Sequence, residues 1–258
     1  MSATLSAEAY ERHKAAARER AAASAKAGRD LGSIPAVVDQ ELRVRCEDDL
    51  QTFLETCFPA AFRLGWSDDH LTLIAELQKV ITTGGFRAVG MPRGTGKSTI
   101  IVRAMIWAIC TRRHPFAMIA AANAGKAERL LRDIVVEVSQ NPHLFDLFPE
   151  VCFPFRALEG ISNRARGQLY QGQNTNISTS AKTVCFATLA GYPGTGAIVA
   201  AAGLMEAVRG ALHTLPDGRV IRPSMLLCDD FQTRESAMSP MQCYSRTEVI
   251  QNDLVGMA

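Results

Sequence analysis

Pro92-Arg93-Gly94-Thr95-Gly96-Lys97-Ser98-Thr99 is the stretch that decides how this chain is read. Ahead of it, behind a Gly84-Gly85 break, stands Phe86-Arg87-Ala88-Val89-Gly90, a short apolar run that reads as a buried strand. Behind it, the spacing predicts a helix over 97–111. A phosphate chain needs a concave array of backbone N–H donors, which glycines allow by removing side-chain bulk. The helix N-terminus adds the positive end of its dipole. In this reading the loop from Pro92 to Thr99 cradles phosphate, Lys97 reaches the β- and γ-phosphates, and the Ser98 hydroxyl sits on Mg2+. Gly96-Lys97-Ser98 fits the end of the pattern GxxxxGK(S/T), but the position of its first glycine is held by Met91. The competing reading is a glycine-rich turn with a solvated lysine. The strand-to-helix setting favours the phosphate loop.

Working outward, the pattern alternates. Strands are predicted over 116–121, 183–187, 197–202 and 225–228, and a helix over 126–139, which together indicate an α/β domain with a mostly parallel sheet flanked by helices. Upstream, Leu50, Phe53, Leu54 and Cys57 recur at helical spacing, and Ser67, Asp68 and Asp69 are cap candidates for a helix over 70–81. Residues 141–182, with Pro142, Pro149 and Pro154, read as loops with short elements. A last helix is predicted over 239–255. Two domains follow: 1–44, a helical or disordered extension and linker, and 45–258, the α/β body.

Met225-Leu226-Leu227-Cys228-Asp229-Asp230 is the second signal. An apolar strand ending in two carboxylates presents acids at the carboxyl edge of a sheet, where α/β folds bind ligands. Asp229 is then placed to hold Mg2+ through its water shell, and Asp230 to orient or deprotonate an attacking water. Arg93, inside the loop, is a candidate for stabilising γ-phosphate charge, with a surface ion pair as the equal alternative. The other candidates weigh less. Gly194-Thr195-Gly196 reads as a turn. Arg164, Arg166 and Arg209 read as solvated or locally paired cations before nucleotide or DNA contacts. Trp66 and His70 could border an adenine ring or belong to the core.

Composition sets the bounds. The chain has 258 residues, 47% hydrophobic and 21% charged, with mean hydropathy near zero, as a globular protein with a sizeable core has. No apolar run is long enough for a transmembrane helix, and the N-terminus has no secretory signal, so a cytoplasmic location without membrane contact is expected. Seven dispersed cysteines with no CxxC pair read as reduced thiols, and a zinc site is not expected. The net charge of +2 resides in residues 1–30, where Arg12, Lys14, Arg18, Arg20, Lys26 and Arg29 outnumber Glu8, Glu11, Glu19 and Asp30. The body is neutral, so bulk charge does not advertise nucleic acid.

The series PRGTGKST, AAANAGKAERLLRDI, Val208-Arg209-Gly210 and MLLCDDFQTRESA, with NPHLFDLFPEVCFPFRALEG, resembles the ATPase domain of a tailed-phage terminase large subunit over roughly residues 45–258. That family often replaces the first Walker A glycine and places an arginine three residues before the GK glycine, as Met91 and Arg93 do here. The resemblance implies a P-loop NTPase of the ASCE type with ATP and Mg2+ as cofactors. It also implies a DNA-packaging motor that assembles as a homo-oligomeric ring and translocates double-stranded DNA into a procapsid. Its partners would be the portal protein and the small terminase subunit, and its place the bacterial host cytoplasm. Carried over by position, Arg93 is the loop arginine, Lys97 and Ser98 the Walker A pair and Asp229 the Walker B acid. Asp230 stands where many members have a catalytic glutamate, with Glu235 as a weaker substitute. The family usually adds a nuclease domain, for which the sequence to Ala258 leaves no room, so no nuclease activity is expected. An ATPase portion, half of a split gene or a prophage remnant are the three expectations. The alternatives are another P-loop DNA translocase or helicase-like ATPase, and a fragment that binds nucleotide or partners without turnover.

Overall fold

The computed structural model describes residues 14–16, 18–19, 29–92, 94–192, 195–207 and 212–254. Aspartates start helices α1 (Gln40–Asp48) and α2 (Leu50–Cys57). Asp39 accepts from the Leu42 N–H to open α1, and Asp49 from the Thr52 N–H to open α2. Leu50, Phe53, Leu54 and Cys57 form the buried stripe of α2. Helix α3 (Asp68–Thr83) starts at Ser67 and stops at Gly84, whose φ of +78° suits glycine alone. There follow α4 (Lys97–Cys110), β1 (Phe116–Ala121) and α5 (Ala124–Gln140). Prolines at the first helical position open α6 (Pro142–Leu147) and α7 (Pro149–Arg156).

The second half is richer in short strands. A hairpin of β2 (Leu169–Tyr170) and β3 (Gln173–Asn174) precedes β4 (Ser178–Thr179), β5 (Thr183–Cys185) and β6 (Ile198–Gly203). After α8 (Leu204–Ala207) and the hairpin β7 (His213–Thr214) with β8 (Val220–Ile221) comes β9 (Met225–Asp229). Helices α9 (Arg234–Ala237) and α10 (Pro240–Glu248) lead into a π-helical turn, Val249–Leu254. No described helix is long and apolar enough to cross a membrane.

The fold is α/β, with a five-strand sheet in the order β4-β5-β6-β1-β9 flanked by helices. Strands β6, β1 and β9 are parallel, whereas β4 and β5 pair antiparallel, so the sheet is mixed rather than mostly parallel. The reason is connectivity: 180–182 and the described residues of 186–197 carry no helix, and a parallel return needs a crossover. A second expectation is also corrected. Residues 86–90 form no strand; Phe86 is 58% exposed and Val89 37%, and β9 ends the sheet without them. An apolar run becomes a strand only where a neighbour offers a ladder. Here Arg87 instead pairs with Glu76 on α3.

Period-two alternation divides the sheet. Ala117, Ile119, Ala121, Val199, Ala201 and Leu227 face the main core, which they share with α2, α4 and α5. Met118 and Ala120 face the other side, where Leu204, Leu226, Cys228, Val249 and Ile250 form a small second cluster. Helix α4 runs through the centre: every residue from Ile100 to Cys110 except Arg103 is buried, and the Trp107 indole N–H donates to the Cys46 carbonyl at 2.8 Å.

The expected division at residue 44 falls inside α1. There Arg43 is buried, doubly hydrogen-bonded to the Glu150 carboxylate of α7 at 2.5 and 3.1 Å, and stacked on Phe148. The preceding segment is laid on the body. Leu31 and Arg29 share backbone hydrogen bonds with Leu169, and the Asp30 carboxylate accepts from the Gly32 and Gly172 N–H groups, which holds it below the usual carboxylate range. Residues 14–16 and 18–19 are helical and exposed; the rest of the expected N-terminal extension up to residue 28 lies outside the described residues.

Candidate functional site

The N-terminus of α4, like that of α7, has no side-chain cap, whereas those of six other helices do. Asp39, Asp49, Ser67, Asn123, Asn141 and Ser239 each cap a helix by accepting a hydrogen bond from its first turn. Helix α4 opens on Gly96 with no side-chain cap. The loop before it turns through two left-handed glycines, Gly94 at φ +83° and Gly96 at φ +79°, with open space where a Cβ would stand at each. Alternating left-handed positions turn successive N–H groups to one side, and the uncapped helix adds its own first-turn donors. Pro92 is exposed and its carbonyl accepts from the Thr95 hydroxyl at 3.0 Å. Lys97 occupies the first helical position, and Lys97, Ser98 and Thr99 are all half-buried. Arg93 lies outside the described residues.

The loop is held from α3. His70 Nδ1 lies 3.3 Å from the Ser67 N–H, from which it accepts, so the ring proton is on Nε2 and donates to the Thr95 carbonyl at 2.7 Å. Trp66 packs edge-on against His70 and donates its indole N–H to Glu55 at 2.6 Å. Of the two aromatic residues singled out from the sequence, His70 therefore fixes the backbone of the loop, and Trp66 packs behind it.

The carboxylates come to the loop from the sheet. Strand alternation puts Asp229 on the same face as Met225 and Leu227, toward α4. Its two oxygens accept from the Ser98 hydroxyl at 2.8 and 3.1 Å, across 131 residues of sequence. Asp230 turns away: its φ of +45° breaks the alternation, and its Oδ2 accepts from Lys126 Nζ, on the first turn of α5, at 2.8 Å. Just before the acids, burial pushes the Cys228 thiol up to about 11. Hydroxyl and carboxylate oxygens are hard donors, and Mg2+ is commonly held by one or two such groups together with waters and substrate phosphates, so the Ser98–Asp229 pair fits this ion.

The other candidates have local roles. The Glu235 carboxyl is held below its usual range by its own backbone N–H and the Thr233 hydroxyl, at the start of α9. Arg164 pairs with Glu159 at 2.5 Å, and Arg166 is exposed. Arg209 and Gly194 lie outside the described residues. Thr195 accepts from the Leu189 N–H and donates to the Tyr192 carbonyl, as a turn residue does. Two site residues escape a reading by motif. Lys126 reads in the sequence only as the first residue of a helix, and Asn123 as part of the turn before it. Both lie in AAANAGKAERLLRDI, one of the stretches of the resemblance, and an asparagine three residues ahead of a lysine after a buried strand is the local signal. No family model, no curated protein and no solved structure matches this chain.

Proposed function

We propose that this chain is a P-loop ATPase of the terminase kind, in which the loop 92–99 binds the phosphates of ATP. The observation that carries this reading is the hydrogen bond from Ser98 to Asp229. A hydroxyl at the mouth of an uncapped helix and an acid at a strand tip, far apart in sequence, meet where a nucleotide-bound cation is held. Bound Mg2+ supplies neutralisation of charge on the β- and γ-phosphates. Ser98 and Asp229 would hold it, the latter largely through water. The backbone donors of Gly94 to Lys97 would position the phosphates in line, and Lys97 and Arg93 would offset the charge that develops on the γ-phosphoryl group. Asp230, at the same tip, would orient the attacking water. Double-stranded DNA as the translocated substrate, a homo-oligomeric ring, the portal and small subunit as partners and a host-cytoplasm location follow from the motif resemblance alone.

The test is ATP hydrolysis by the purified chain, with and without double-stranded DNA, beside Lys97→Ala. The expected result is DNA-stimulated turnover that falls by about 10²–10³ in the variant, the scale for removing one group that stabilises transition-state charge. Turnover that persists in Lys97→Ala at the wild-type rate would overturn the site assignment. A second reading, nucleotide binding without turnover by these residues alone, is favoured by one observation. The segment 86–90 that leads into the loop is unpaired, so the loop has no strand behind it. Binding with undetectable hydrolysis would select this second reading.

A further inference from the structure

The ion pair between Lys126 and Asp230 joins the start of α5 to the turn after β9, which the reaction as outlined above does not connect. Lys126 sits on the first turn of α5, just after β1, and Asp230 on the turn after β9, the strand beside β1. The backbone of Lys126 is pinned, because its N–H donates to Asn123 Oδ1 at 3.0 Å. The same turn is pressed against the end of β6: a Cβ added to Gly203 would stand 3.1 Å from the Ala124 nitrogen. The cation is therefore mounted on a fixed base at the carboxyl edge of the sheet, while its side chain, 41% exposed, retains a flexible stem. Its partner is adjacent in sequence to Asp229, which holds Ser98 at the mouth of α4.

We propose that Lys126 distinguishes nucleoside triphosphate from diphosphate by exchanging the Asp230 carboxylate for the γ-phosphate. The proposal rests on the reading of loop 92–99 as a phosphate loop. An exposed ion pair contributes little, so the Lys126 contact yields to a stronger anion brought to the same place. A γ-phosphate carries more charge than one carboxylate and would arrive already held by the loop, so Lys126 transfers to it. The Lys126–Asp230 contact thereby opens at the moment a water is to be oriented. A diphosphate has no γ-group and leaves the pair closed.

The experiment is calorimetric binding of Mg2+-ADP and of the Mg2+ complex of a non-hydrolysable β,γ-imido ATP analogue to the full chain. Wild type, Lys126→Met, Lys126→Arg, Asp230→Asn and the Lys126→Met/Asp230→Asn double variant are compared. Lys126→Met is expected to weaken the triphosphate analogue about tenfold and ADP by less than about twofold, with Lys126→Arg restoring most of the loss. Asp230→Asn is expected to tighten the analogue severalfold, and that gain should vanish when Lys126 is already methionine. Equal effects of Lys126→Met on both nucleotides, or none on either, overturn the proposal, as does a gain from Asp230→Asn that persists in the double variant. Lys97→Ala separates this outcome from failure of the underlying reading. If Lys97→Ala loses both nucleotides while Lys126→Met keeps its wild-type preference, only the exchange falls. If wild type binds neither nucleotide, the phosphate loop itself falls and the exchange with it. Both side chains at the pair are substantially exposed, and a thermal melt of each variant verifies the fold.

Discussion

Residues 86–110 and 116–140 both read as an apolar run, a polar turn and a helix, yet the two units serve the sheet and the site differently. In the second unit all six residues of β1 are buried and paired on both sides, and Asn123 caps the helix that follows. In the first, the apolar run is exposed and unpaired, the turn passes through two left-handed glycines, and α4 opens without a side-chain cap. The second unit has its strand donors taken up by β6 and β9 and one first-turn donor of its helix taken by Asn123. The first leaves its donors directed at an open loop, and its stability comes from the C-terminal three turns of α4, buried against the core. Local features that stabilise a helix start and features that bind an anion there are thus alternatives, because both use the same N–H groups.

The sharpest break of this comparison is in the two apolar runs. Ile119 in β1 is fully buried, so Ile119→Ala should lower stability by about 2–5 kcal/mol, as core truncations do. Phe86, 58% exposed, should cost less than about 0.5 kcal/mol as alanine. Urea denaturation midpoints check both. A large loss from Phe86→Ala would mean that 86–90 is paired in solution, and that the two units are alike after all.

A middle-sized effect separates the glycines of the two turns. Gly96→Ala forces a side chain into the left-handed region, at about 1–2 kcal/mol, and should weaken nucleotide binding roughly tenfold by distorting the loop. Gly125→Ala, on the first turn of α5, meets nothing nearer than Asn123 Oδ1 at 3.7 Å and should raise stability by about 0.5–1 kcal/mol. Opposite signs in the two denaturation curves sustain the contrast; equal signs remove it.

How much of this was legible varies by element. Helices α3, α4 and α5 and strands β1, β6 and β9 follow from periodicity and caps, and Ser67 was identifiable as a cap from its place before an apolar repeat. The meeting of Ser98 with Asp229 was legible because strand alternation and a helix start fix where each points. The unpaired state of 86–90 was not, because an apolar pentapeptide carries no information about whether a ladder partner exists. The antiparallel pairings of β4 and β5 were hidden by the proline-rich and polar stretch before them. Lys126 was illegible for another reason: its pairing depends on the left-handed turn at Asp230, and an aspartate following a strand tip does not reveal the sign of its φ.

The smallest predicted effect tests whether the cap on α5 is the stabilising device its counterpart α4 lacks. Asn123 accepts from the Lys126 N–H at 3.0 Å, and Asn123→Ala should cost about 1 kcal/mol in urea denaturation, the usual value of a lost cap. Asn123→Asp keeps an acceptor at the same place and adds a negative charge to a helix N-terminus, so it should retain or slightly exceed wild-type stability. Because the cap also fixes the backbone of Lys126, Asn123→Ala should loosen the base on which that cation is mounted, while the loop and its glycines on α4 stay as they are. ADP affinity, which depends on the loop, is therefore expected to hold in this variant even as stability falls. If stability and ADP affinity fell together, the two units would be one cooperative structure, and the division between a self-satisfied turn and an open one would have no energetic content.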